Sequence, residues 1–197
     1  MGHALTTLKL DLSWLKMRLS GDGSHLASKA QNILLLVDYT IETVQKISSE
    51  LRPGVLDYLN LGDAIEWQLK ELQRRTGVEC KLTNKVDFET ISLEQERTTA
   101  IFRVFQEATT NILRHSGATK INVELTTASK TLKISIQDNG KGITEQQIYD
   151  PMSFGIMGMR ERACFLGGDI KIVGFKGKGT TVEMEIPLKD IELKANG

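Results

Sequence analysis

Between Lys120 and Gln137 apolar and polar residues alternate in two runs, Lys120 to Thr126 and Thr131 to Gln137, separated by Thr127 to Lys130. Alternation puts every second side chain on one face, so both runs read as half-buried strands joined by a hairpin. Such a hairpin needs a covering layer before it is stable. The preceding residues supply one: Leu93 to Arg114 reads as a long helix, with Gly117 near its end. Upstream, Asp63 to Arg75 carries Ala64, Ile65, Leu69 and Leu72 at helical spacing and ends at Gly77, a C-cap position, before a short strand from Val78 to Thr83. Downstream, a glycine-rich stretch precedes a helix from about Ile156 to Leu166 and two strands, Asp169 to Gly174 and Thr180 to Pro187. This order predicts an α+β fold with helices layered on one face of a mixed sheet.

The first fifty residues have a different character. Leu5, Leu8, Leu12, Leu15 and Leu19 recur at steps of three and four, a heptad seam. Gly21-Asp22-Gly23-Ser24 breaks that helix, and a second seam runs through Ala30, Ile33, Val37, Thr40, Val44, Ile47 and Leu51 to the stop at Pro53-Gly54. Two such helices form an αα-hairpin whose seams would be buried by dimerisation into a four-helix bundle. Packing of the seams on the rest of the same chain is the plain alternative. The division expected is 1–53 for the helical hairpin, 54–190 for the α+β domain and 191–197 for a tail.

Composition narrows the function. The apolar share is 40%, the charged share 25% and the formal net charge zero, which leaves no electrostatic footprint for nucleic acid or an anionic membrane. The longest aliphatic run, Ile33 to Val37, is too short to span a bilayer, so no membrane contact is expected within the chain. Cys80 and Cys164 lack metal-ligand spacing and read as reduced, partly buried residues of a cytoplasmic protein.

Three clusters carry chemistry. On the long helix, Glu107, Asn111 and His115 fall four residues apart on one face. A carboxylate and an amide oxygen there could hold Mg²⁺ with the help of phosphate oxygens, or be a solvated polar stripe. After a predicted strand comes Asp138-Asn139-Gly140-Lys141-Gly142, which offers a shielded acceptor for an exocyclic amine or, alternatively, a plain turn. The third, Gly155-Ile156-Met157-Gly158-Met159-Arg160-Glu161-Arg162, is a glycine-led helix start suited to phosphates, followed later by Gly177-Lys178-Gly179-Thr180-Thr181. That last run lacks the spacer of a Walker A loop and leads into a strand.

Taken in order, the N-x-x-x-H helix, D-N-G-K-G, G-x-x-G helix start and G-K-G-T-T resemble the GHKL ATPase superfamily of gyrase, chaperone, sensor-kinase and mismatch-repair ATPases. Gln106-Glu107 through Asn111 and His115, the Met-Arg-Glu-Arg run, and the stretch from Leu51-Arg52-Pro53 to Trp67 are similar to nitrate-sensor-like histidine kinases of two-component systems. The resemblance implies a two-layer α/β sandwich that binds ATP or ADP with Mg²⁺. It implies that Asn111 ligates Mg²⁺, that Asp138 reads the adenine amine, and that Gly140 and Gly142 line the base pocket. Gly155 and Gly158 would belong to a lid over the phosphates, and Thr180 or Thr181 would close the adenine side. Lys141 and Met159 join the nucleotide-binding set. Glu107 would orient Asn111 or the metal shell, and His115 would stand near the phosphates.

The activity implied is transfer of the ATP γ-phosphate to a histidine and then to an aspartate on a response-regulator receiver domain, by a homodimer. The family's acceptor motif has the form H-[DE]-x-x-[GA]-[QH], and Gly2-His3 matches its last two positions. The acceptor is therefore expected outside this chain, which should bind nucleotide and dimerise without phosphorylating itself. His3 would match the position that assists hydrolysis of the regulator's aspartyl phosphate, or be an inert terminal residue; His25 reads only as a surface residue. Two rival readings are a serine kinase or hydrolysing ATPase on the same fold, and a dimerisation scaffold with a degenerate site. The heptad hairpin and the Met-Arg-Glu-Arg run weigh against the first, and the second requires the glycine clusters to be turns only.

Overall fold

The computed structural model describes residues 53–88, 90–91, 93–150 and 153–188, and Ile33 alone of the N-terminal segment. Apart from Ile33, the heptad seams lie outside the described residues, as do His3, His25 and the 191–197 tail. The chain divides into two units, Met1–Arg52 and Pro53–Gly197, and the second carries the sheet with all of its strands.

After a short 3₁₀ turn at Gly54–Asp57, helix α1 spans Leu61–Thr76. Asn60 caps it by accepting from the Asp63 N–H at 3.0 Å, and Gly77 ends it in the left-handed conformation at φ 74°. Strand β1 is Glu79–Asn84, and helix α2 is Gln95–Asn111. The hairpin follows as β2, Lys120–Ala128, and β3, Thr131–Asp138. Its two-residue turn puts Ser129 and Lys130 at φ 50° and 62°, the primed-turn geometry that suits the twist of paired strands. A one-turn helix α3, Glu145–Ile148, carries a capping box between Thr144 and Gln147. Helix α4, Phe154–Phe165, then leads to β4, Asp169–Phe175, and β5, Gly179–Pro187.

The five strands lie in the order β1-β2-β3-β5-β4. β1 and β2 are parallel, which requires the crossover through α2, and the other neighbours are antiparallel. One face of the sheet is apolar: Ile121, Val123 and Leu125 on β2, Leu132, Ile134 and Ile136 on β3, and Val182, Met184 and Ile186 on β5 are all buried. Helices α1, α2 and α4 contribute Ile65, Leu69, Ile101, Phe102, Phe105 and Met159 to the same core cluster. The rings of Phe102 and Phe105 lie 5.8 Å apart, and burying each contributes on the order of 2–3 kcal/mol. The opposite face is polar, with Lys133 Nζ 3.3 Å from both Glu183 and Glu185. The α+β fold with helices over one face of a mixed sheet is therefore as expected.

Three details differ from the expectation. The long helix ends three residues earlier than Arg114, and Ile112–Ser116 forms a single wide π turn closed by Gly117 at φ 65°. The short helix α3 is an addition to the expected elements. Cys164 is exposed rather than partly buried, because it falls on the outer side of α4 next to the exposed Phe165.

Candidate functional site

The apolar rows on β3 and β5 each end in a polar residue. On β3 the row Leu132, Ile134, Ile136 continues to Asp138, and on β5 the row Ile186, Met184, Val182 continues to Thr180. The register pairs Ile136 with Val182 and Gln137 with Thr181, which makes Asp138 and Thr180 the next neighbours on the helix-covered face. Thr181 points the other way, with Gln137. The Asp138 side chain is 2% exposed, and the N–H groups of Gly140 and Thr180 donate to its two oxygens at 2.7 and 3.2 Å. Two backbone donors offset part of the cost of burying this carboxylate. They use about half of its acceptor sites, which leaves capacity for a donor from a ligand.

Glycine lets the main chain close tightly around that carboxylate. Gly142 has φ 80°, and a Cβ there would lie 2.3 Å from the Phe175 carbonyl oxygen. Gly179 has φ 88°, and its Cβ would lie 1.8 Å from the Asp138 carbonyl oxygen. No other residue type fits either position. The Asp138–Gly142 loop is also held by main-chain bonds from Lys141 N–H to the Ser116 carbonyl and from Gly177 N–H to the Lys141 carbonyl, both 2.9 Å. The Lys141 side chain is exposed.

The end of α2 brings the second group of residues together. Asn111 Nδ2 donates to Glu107 Oε1 at 3.2 Å, and both residues are half-buried. Gly155, in the first turn of α4, leans on this pair: a Cβ there would lie 2.1 Å from Glu107 Oε1 and 3.4 Å from Asn111 Nδ2. The positive end of α4 thus faces a carboxylate and an amide. His115 does not join them as a third member of a helical stripe. It is exposed within the π turn, whose wider winding breaks the i+4 spacing of the α-helix.

Gly158 lies one turn further along α4, where its carbonyl accepts from Arg162 Nη1 at 2.9 Å. Met159 is 2% exposed and sits in the core cluster, so its side chain packs beneath α4. Arg160 stacks over the Tyr149 ring, 4.9 Å from its centroid, which ties α4 to the end of α3. Among the described residues no group of three or more His, Cys, Asp or Glu side chains could hold a metal ion. Two residues of the site have no role of their own in the sequence reading: Asn139, whose side chain bonds Thr119 and Lys120, and Ser116, whose carbonyl receives the loop. The Asp-Asn-Gly run is the available signal, but it reads equally as a local turn.

Among the described residues no helix is long and apolar enough to cross a membrane. The family of histidine kinase-, DNA gyrase B-, and HSP90-like ATPases matches residues 96–190, which span every element from α2 to β5. Sensor histidine kinase LiaS of Bacillus subtilis is 29% identical over 164 residues, covering 83% of this chain and 41% of LiaS. Sensor protein VraS of Staphylococcus epidermidis is 37% identical over 143 residues, 72% of this chain and 39% of VraS. The chain thus spans about two fifths of the length of these relatives. Its fold is similar to the histidine kinase domain of a blue-light activated kinase from Erythrobacter litoralis, with TM-score 0.57, 18% identity and 94% of each chain covered. It is also similar to the Acinetobacter baumannii histidine kinase AdeS, with TM-score 0.58, 17% identity and coverage of 95% of this chain and 97% of that one. With Asp138 and Glu107–Asn111 set between the glycine-rich segments of this sheet, residues 96–190 belong to the histidine kinase-, DNA gyrase B-, and HSP90-like ATPase family, and the chain carries a GHKL catalytic domain of the sensor histidine kinase type.

Proposed function

We propose that this domain binds ATP with its adenine against Asp138 and its phosphates toward Glu107, Asn111 and the first turn of α4, as the catalytic part of a protein histidine kinase. The observation that carries this reading is the Asp138 carboxylate. It is buried at the end of two apolar rows, held by two backbone N–H groups, and retains acceptor capacity that suits an exocyclic amine. Gly140, Gly142 and the Thr180 end of β5 wall this space. Lys141, with its exposed side chain, is placed to meet phosphate or solvent charge rather than the base.

Asn111 is the protein's ligand for Mg²⁺ in this reading. Its amide nitrogen is directed to Glu107, which leaves the amide oxygen for the cation. Glu107 then orients that ligand. A site with so few protein ligands suits Mg²⁺ beside a nucleotide, which takes most of its ligands from phosphates and water. When bound, the cation would neutralise charge on the transferred phosphoryl group. Gly155 and Gly158 keep the start of α4 close to the phosphates, while His115, exposed beyond the π turn, has at most a peripheral part.

In the full protein the γ-phosphate passes to a histidine and then to an aspartate of a response-regulator receiver domain. The dimer forms through the 1–53 helices, with 54–190 as the catalytic unit and His3 assisting dephosphorylation of the regulator. None of the three histidines, His3, His25 and His115, is followed by an acidic residue as the family's acceptor is, so none is the acceptor. A thermal melt tests the pocket: ADP with Mg²⁺ at about 100 times its Kd should add roughly 2.7 kcal/mol to stability. GDP should add much less. Equal shifts with both, or none with either, contradict the proposal, and radiolabel on any of these histidines after incubation with ATP contradicts the acceptor assignment.

A further inference from the structure

Asn139 sits between Asp138 and Gly140, and its side chain reaches to a different strand. Its Oδ1 accepts from the backbone N–H groups of Thr119 and Lys120, both at 2.9 Å, and its Nδ2 donates to Thr119 Oγ1 at 2.9 Å. Its own N–H donates to the Lys120 carbonyl at 3.3 Å. The local turn is closed by the Asp138 side chain, whose Oδ1 accepts from the Gly140 N–H, whereas the Asn139 bonds run to residues remote in sequence. They fasten the end of β3 to the start of β2.

The start of β2 is itself tied to α2. Ser116 Oγ donates to the Ile112 carbonyl at 2.8 Å and accepts from Ala118 N–H at 3.0 Å, and the Ser116 carbonyl accepts from Lys141 N–H at 2.9 Å. The π turn, Thr119–Lys120 and Asn139 thus form a bonded path from Asn111 to Asp138. That path fixes where the carboxylate stands relative to the helix carrying the Glu107–Asn111 pair.

We infer that Asn139 is a positioning residue for purine recognition: by anchoring the Asp138–Gly142 loop to Thr119 and Lys120 it aims the Asp138 carboxylate, and so sets how sharply a 6-amino purine is preferred over a 6-oxo purine. This rests on the reading that the pocket takes an adenine nucleotide. Asn139 touches no base and acts only through Asp138. An aspartate at 139 would still accept from both N–H groups, and the Thr119 hydroxyl can turn to donate to it. The side chain is exposed, so the added charge is screened.

The test is calorimetric titration of wild type, Asn139→Ala and Asn139→Asp with ADP and with inosine diphosphate, each with Mg²⁺. Asn139→Ala should lower the preference for ADP over inosine diphosphate by about fivefold to tenfold. Asn139→Asp should keep it within about twofold, since its acceptor bonds survive. Equal weakening of both ligands in Asn139→Ala, or loss of preference in Asn139→Asp as large as in Asn139→Ala, overturns the inference. If Asn139→Ala fails to fold, Asn139→Ser is titrated in its place with the same expectation. Wild type that binds ADP no better than inosine diphosphate overturns the adenine reading and this inference with it. Wild type that prefers ADP, with an Asn139→Ala variant that prefers it equally, overturns the inference alone.

Discussion

Gly179 approaches Asp138 so closely that a Cβ at its position would lie 1.8 Å from the Asp138 carbonyl oxygen. Gly179 also has φ 88°, so a side chain meets both a clash and an unfavourable backbone. The contact fastens the G-K-G turn before β5 onto the loop that carries the candidate adenine acceptor. Gly179→Ala should therefore cost more than about 2 kcal/mol of stability and abolish ADP binding. Gly77 is the control: its φ is 74° but nothing lies within 4 Å of a Cβ there. Gly77→Ala should cost only about 1 kcal/mol and leave ADP affinity unchanged. Urea melts and titrations of the two variants check this, and equal loss of binding in both contradicts it.

The Glu107–Asn111 hydrogen bond makes a separate claim about metal. Wild type should bind ADP more tightly as Mg²⁺ is raised, whereas Asn111→Ala should show no Mg²⁺ dependence. Glu107→Ala should lower the apparent Mg²⁺ affinity by about tenfold, because the ligand loses its orienting partner. Titration of ADP at several Mg²⁺ concentrations reads both. A Mg²⁺ response that survives in Asn111→Ala removes Asn111 from the metal site.

Arg97 is 8% exposed, and its guanidinium donates to the Leu166 carbonyl at 3.3 Å and to the Pro187 carbonyl at 2.5 Å. It joins the start of α2 to the end of α4 and the end of β5. Arg97→Met leaves two carbonyls without this donor and should cost about 2–4 kcal/mol in a urea melt. The site lies at the other end of α2, so nucleotide affinity of the folded variant should be unchanged.

The two cysteines should label at different rates. Burial, reinforced by the charge of Glu79, holds the Cys80 thiol above its ordinary range, and its Sγ donates to the Val78 carbonyl at 3.4 Å. A raised value means less thiolate at a given pH, and the thiolate is the species that reacts. Cys164 is exposed and should be alkylated first near about pH 8. Raising the pH should narrow the gap as Cys80 deprotonates. Faster labelling of Cys80 would contradict the packing of β1.

The strands and the apolar halves of the helices are legible in the sequence because alternation and 3.6-residue spacing report directly on burial, as Leu132, Ile134 and Ile136 on β3 illustrate. Other features depend on contacts remote in sequence. The end of α2 is not legible because Ile112 to Ser116 still carries helical periodicity, and the wider turn shows only in the folded backbone. Thr180 and Thr181 cannot be separated until the register puts Thr180 beside Asp138 and Thr181 beside Gln137. Met159 stands in the sequence among the expected nucleotide-binding residues, and that α4 turns its side chain into the core is legible only in the fold. The helix α3 is written as Thr144-x-x-Gln147, a capping box too short to show periodicity.

The most direct measurement is calorimetric titration of the chain with ADP and Mg²⁺, with Asp138→Asn alongside. Wild type should bind with Kd between about 1 μM and 1 mM. Asp138→Asn, which exchanges a charged acceptor for an amide, should weaken this by about tenfold to a hundredfold while keeping a cooperative melt. No binding by wild type, or equal binding by a folded Asp138→Asn variant, would mean that the buried carboxylate does not recognise adenine.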